Sequence, residues 1–148
     1  MNAKQQKQAV FSLHRYYMWC DQMKAHFEQI ALEHGRINDL YSPEGAKIFM
    51  YMSYWYAGLY VVTEGWKQLD LADPRVDLLR SSTKHLALLK RYRHGVFHFQ
   101  RNYFDVRFRE LMETGKESVV WIGDLHEALG AFFLQWIDKE NLKLKKNI

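Results

Sequence analysis

Hydrophobic positions in the first part of the chain return at intervals of three, four and seven. Val10, Leu13, Tyr17, Cys20, Phe27 and Ala31 share one side of a helix that this spacing predicts over Lys4 to Glu33. His34-Gly35 and the polar Asn38-Asp39 mark its end. Ser42-Pro43-Glu44 is a start signal: a serine oxygen accepts from orphan N–H groups, and proline suits the first helical position. The second helix then runs to about Leu69. Asp73-Pro74 repeats the signal for a short piece through Leu79. Ser81-Ser82-Thr83 offers a cap for a helix from Lys84 to about Gln100, Arg101-Asn102 suggests a bend, and Tyr103 to Met112 continues as helix. After a turn at Thr114-Gly115-Lys116, the last helix covers about Ser118 to Leu144, with Ile122, Leu125, Leu129, Phe132, Phe133 and Trp136 in one stripe. No segment sustains two-residue alternation. The expected fold is all-α, an antiparallel four- to five-helix bundle.

The longest uncharged run, Ile48 to Thr63, is sixteen residues between Lys47 and Glu64, and contains four tyrosines. A membrane-spanning helix needs about 20 predominantly apolar residues, so this run is expected to be a buried helix and no membrane partner is expected. Its aromatics (Phe49, Tyr51, Tyr54, Trp55, Tyr56, Tyr60) point all round the helix, which predicts burial on several sides, in a core and a dimer interface.

Composition changes this picture little. With 48% apolar residues in 148, the chain can bury a core as a single domain over residues 1–148, and only two prolines interrupt it. The lone cysteine, Cys20, allows neither an internal disulfide nor a C-x-x-C metal motif; it falls among core-phase positions and reads as a small buried hydrophobe. A reducing cytoplasm is the expected location.

Charge changes it more. The net charge is only +4, but Lys84 to Arg109 holds seven basic residues against Asp105 alone, a segment of +6, and the remaining 122 residues carry −2. At 100° per residue, His85, Leu89, Tyr92, Val96, Phe99 and Tyr103 gather on what should be the core face. Arg91, His94, His98 and Arg101 gather roughly opposite, within about 80° of one another. Two imidazoles between two guanidiniums suit a phosphodiester: arginine supplies fixed, multidentate charge and histidine changes protonation near neutral pH. Arg93 lies about 140° from His98 on a straight helix. It would meet His98 through its long side chain, or through a loosening of the helix at Gly95.

The segment Arg93-His94-Gly95-Val96-Phe97-His98 resembles the signature of the HEPN superfamily (higher eukaryotes and prokaryotes nucleotide-binding domains), an Arg followed after four to six residues by His, often with a polar residue directly after the Arg. The resemblance implies a small helical bundle that is a homodimer, with two copies of the motif facing one cleft. It also implies a metal-independent endoribonuclease, of the kind that serves as a toxin or defence effector and needs no cofactor. RNA would be the substrate, and the product would end in a 2′,3′-cyclic phosphate. In that chemistry His98 transfers protons, Arg93 stabilises charge on the phosphorane, and His94 orients the phosphate or shares the proton transfer. Arg91 and Arg101 would hold the flanking backbone. Members silenced by a nucleotidyltransferase antitoxin commonly carry Tyr two residues after the His; Gln100 stands there in this chain, and the nearest downstream tyrosine is Tyr103.

Other readings of the same residues are weaker. His94 and His98 have the spacing of two metal ligands, but the arginines beside them oppose a cation and no carboxylate lies between them, so no metal is expected. No Glu precedes any histidine by three residues, as a di-iron bundle would require, and there is no P-loop or GxGxxG. The main alternative is a non-catalytic helical module that binds nucleic acid or a protein partner through the same basic patch.

Overall fold

The computed structural model describes residues 1–35 and 39–146, with side chains through Lys143. Asn38, part of the predicted end of the first helix, lies outside the described residues. Six helices follow one another: α1 (Ala3–His34), α2 (Pro43–Gln68), α3 (Pro74–Arg80), α4 (Thr83–Phe97), α5 (Val106–Glu113) and α6 (Lys116–Lys146). There is no strand among the described residues, and no described helix is long and apolar enough to cross a membrane.

The start signals act as expected at two places. Ser42 Oγ accepts from Gly45 N at 3.0 Å, and Asp73 Oδ1 accepts from the backbone N–H of Arg75 and Val76, so both leave their helices with an orphan donor satisfied. Ser82 does not cap α4; its hydroxyl meets His85 Nδ1 instead.

Antiparallel packing follows from which residues meet. Along α1 and α2, Gln6 reaches the Leu69 carbonyl, Leu13 lies against Gly65, Cys20 against Gly58, and His26 stacks on Tyr51. A Cβ at Gly58 or Gly65 would collide with Cys20 or Leu13, so these two glycines set how closely α1 approaches α2. Along α1 and α6, Lys7 pairs with Glu140, Phe11 packs on Trp136 and Tyr17 on His126. Tyr54 meets Phe97 and Tyr56 meets Tyr92 across α2 and α4. Helix α2 is therefore covered by α1 and α4, with Trp55 and Tyr56 buried, while Tyr54 stays 48% exposed.

All six helices contribute to one core, in which Trp66, Tyr92, Leu59, Leu89, Ile122, Leu125 and Leu129 are fully buried. Each such side chain contributes on the order of 1.5–3 kcal/mol relative to an exposed one. The buried indoles keep their polar edge satisfied: Trp66 donates to Asp77, Trp121 to the Leu79 carbonyl and Trp55 to His126. Cys20 is 2% exposed and burial pushes its thiol up to about 12, which makes it the inert apolar side chain its position predicted.

One stretch departs from expectation. Helix α4 ends at Phe97, three residues early, and α5 begins three residues late, so 98–105 leaves the helix. Local side-chain bonds compete with helix there. Gln100 Nε2 donates to the His98 carbonyl, Asn102 Oδ1 accepts from Phe104 N, and Asp105 Oδ1 accepts from Arg107 N. The predicted core face of α4 holds for His85, Leu89 and Tyr92, and Val96 is half-buried. It fails for Tyr103, which is exposed, and for Phe99, which is 92% exposed.

Candidate functional site

The end of α4 collects most of the residues singled out in the sequence. His98 is the C-cap, extended rather than helical, with its N–H still bonded to the His94 carbonyl. The two imidazoles stack at 5.6 Å between centroids and 18° between planes. His94 is half-buried and His98 exposed, and neither has a carboxylate within ion-pairing distance among the described residues. The pair thus lacks the carboxylate partner that holds His85 and His126. Arg101 lies exposed in the connection that follows, likewise without a carboxylate partner among the described residues.

The rest of the basic segment is mostly spent on ion pairs. Arg91 holds Glu110 of α5 through two contacts, at 2.5 and 3.1 Å. Arg107 pairs with Asp105 and also donates to Gln100 Oε1; Arg109 pairs with Glu113, and Lys84 with Glu117. Lys90, Arg93 and Arg101 are the cations of the segment left without an acidic partner among the described residues. The +6 of the sequence is thus reduced to three cations without an acidic partner, of which Arg101 follows the histidine pair in the chain. Arg91, expected to hold RNA backbone, has its guanidinium occupied by Glu110.

Arg93 sits apart from the pair. It is half-buried at the α2–α4 contact, close enough to Tyr60 for its charge to act on that phenol. Its Nε is sealed from solvent with no partner. No hydrogen bond, ion pair or ring stack joins Arg93 to His94 or His98. Gly95 does not loosen the helix between them. Its missing side chain admits the Phe108 ring, which lies 2.9 Å from where a Cβ would stand. That close approach docks α5 on α4 and places the 98–105 connection.

Beside the pair is a cavity of about 270 Å³ lined by Phe49, Gly95, Val96, His98, Phe99, Gln100, Asn102, Tyr103 and Phe108. Sequence periodicity missed it, because it assigned Phe99 and Tyr103 to the core. The signal that could have found it is the cluster of Asx-type residues, Asn102 and Asp105, which favours turns over helix.

A second histidine, His126 on α6, has the opposite setting. It is 3% exposed and bonded at both nitrogens. Trp55 Nε1 can only donate, so His126 Nδ1 accepts at 3.1 Å, and Nε2 carries the proton that it donates to Asp21 Oδ1 at 2.9 Å. Desolvation lowers the pKa of this ring, against the opposing pull of Asp21. The ring is a tie between α1, α2 and α6.

No protein-family profile, curated protein or solved structure matches this chain.

Proposed function

We propose that the chain is a metal-independent endoribonuclease of the HEPN type, working through His98 and His94 at the end of α4. The observation that carries the reading is the stacked, solvent-facing histidine pair with no carboxylate partner, beside the exposed Arg101. Cleavage without a metal needs one group to take the proton of the ribose 2′-hydroxyl as its oxygen attacks phosphorus. It needs another to protonate the 5′-oxygen as the P–O5′ bond breaks. Two imidazoles in contact supply both roles, and the fragments end in a 2′,3′-cyclic phosphate and a 5′-hydroxyl. Arg101 holds the phosphate chain. In a homodimer with two motifs facing one cleft, the terminal nitrogens of Arg93 stabilise the phosphorane.

One observation favours a second reading. No hydrogen bond, ion pair or ring stack joins the Arg93 side chain to either histidine, and a bundle that only binds RNA or a protein partner at this end needs none. The test is cleavage of total RNA by purified protein in EDTA, with His98→Ala and Arg93→Ala alongside. The catalytic reading expects EDTA-resistant cleavage that His98→Ala abolishes while RNA binding survives. Equal cleavage by wild type and His98→Ala would sink it. RNA binding without cleavage by the wild type would establish the second reading.

A further inference from the structure

Phe99 is the large apolar side chain most open to solvent among the described residues, at 92%. Scattered exposed apolar residues are ordinary on protein surfaces. This one differs in its setting. It lies between His98 and the exposed Arg101 in the chain and lines the 270 Å³ cavity together with the aromatic rings of Phe49, Tyr103 and Phe108. Tyr103 is held there by its stack on Tyr41 and by its hydroxyl donating to the Leu40 carbonyl. The volume falls just below the roughly 300–1,000 Å³ of sites for drug-sized ligands, which suits a single flat ring system.

The polar groups at the rim are partly committed. Gln100 is a strut: its Oε1 accepts from Arg107 and its Nε2 donates to the His98 carbonyl. Asn102 spends its Oδ1 on Phe104 N and keeps its Nδ2 hydrogens available to a ligand acceptor. Aromatic walls, one exposed ring, an amide donor and neighbouring cations are what an unpaired nucleobase with its phosphate requires. A base offers a π-face to stack and ring acceptors to hydrogen-bond, and its backbone is anionic. A protein partner would need an aromatic or apolar group and a carboxylate at this spacing, whereas every nucleotide carries a base and a phosphate together.

We infer that this cavity is a base-binding subsite, in which Phe99 stacks on an unpaired base and Asn102 Nδ2 donates to that base's edge. The phosphate beside it lies at His98 and Arg101. The inference rests on the RNA reading proposed above and assigns its specificity: single-stranded RNA, gripped by a base and not by its backbone alone. A duplex, with its bases stacked inside, cannot fill the site.

The test measures binding of a fluorescein-labelled single-stranded 12-mer RNA, and of the same RNA annealed to its complement, across a salt series. The His98→Ala background is used so that the probe stays intact. Adding Phe99→Ala is expected to weaken single-strand binding about 5- to 150-fold, the worth of one base–aromatic stack, with no change in salt slope. Phe99→Trp should restore it, and duplex binding should not respond. Arg101→Ala should do the opposite, weakening binding of both RNAs and lowering the salt slope by about one. Phe99 touches little, so its variants fold. Unchanged single-strand affinity in Phe99→Ala would overturn the inference while leaving the cleavage reading intact. So would a loss of self-association in place of RNA affinity, seen by sedimentation. Phe99-dependent binding by a wild type that cleaves nothing would uphold the subsite and defeat only the catalytic reading.

Discussion

The two histidine-bearing regions of this bundle, His126 at its centre and His94–His98 at the end of α4, use the same ring against aromatic neighbours with different outcomes. His126 is wedged among Tyr17 and Trp55, and both its nitrogens are engaged. Its tautomer is dictated, and protonating Nδ1 would break the bond from Trp55. His98 faces solvent with only its neighbouring ring and backbone to hold it. A histidine whose nitrogens are both used is a structural tie; one whose nitrogens are open can exchange protons with a ligand. Burial and partners, not residue type, separate the two.

Exchanging what each region loses on mutation is the strongest way to break this comparison. His98→Ala is expected to lower RNA cleavage by about 10²–10⁴-fold, the range for removing a general acid or base, with unchanged thermal stability. His126→Ala should do the reverse. It strands the Trp55 indole N–H and opens a cavity, costing about 2–4 kcal/mol of stability, read as a fall in Tm or in the urea midpoint. RNA affinity per folded molecule should stay the same. A His126 variant that folds as well as wild type would refute its role as a tie.

The pH dependence of folding sharpens the same contrast. Because burial depresses the folded pKa of His126, the unfolded chain binds the proton first. The stability it confers is fully present above about pH 6.5, the ordinary histidine value, and is lost as pH falls from there through the folded pKa. Urea titrations between pH 7 and pH 5 should show this loss, and His126→Gln should flatten it. Asp105 and Glu140, both held low chiefly by hydrogen bonds, make their contribution above the ordinary carboxylate values and lose it in a lower window, as pH falls below those values.

Much of the fold was readable from the chain because the signals were local and agreed. Three-four periodicity, Ser42-Pro43 and Asp73-Pro74 gave the helices and the antiparallel order. The candidate site was readable in part. His94 and His98 do come together, but through a helix C-cap and a ring stack instead of a continuous helical face. Periodicity carried the core face of α4 past Phe97 because it sees only apolar spacing. The bonds from Gln100, Asn102 and Asp105 that end the helix are side chain to backbone, and they turned Phe99 outward. The ion pairs that quiet Arg91 and Lys84 depend on how α4 meets α5 and α6, which a count of charges along the chain does not contain, whereas Arg107 and Arg109 pair with acids two and four residues away.

Smaller effects test the supports of the α4 end. Gly95→Ala would drive a Cβ against the Phe108 ring and Arg107. An overpacking cost of about 1–3 kcal/mol is expected, with weaker RNA binding because the connection shifts. Arg91→Ala should change stability by no more than about 0.5 kcal/mol, since its pair with Glu110 is partly exposed. If Arg91→Ala instead weakened RNA binding as much as Arg101→Ala, the division between engaged and open cations would be wrong.

The most direct measurement is the chemistry of the cut ends. Mass spectrometry of RNA fragments made by wild-type protein in EDTA should find 2′,3′-cyclic phosphate at the 3′ ends and hydroxyl at the 5′ ends, and no such fragments with His98→Ala. Fragments carrying 3′-hydroxyl and 5′-phosphate ends, or cyclic-phosphate ends that persist in His98→Ala, would contradict catalysis by the α4 histidines.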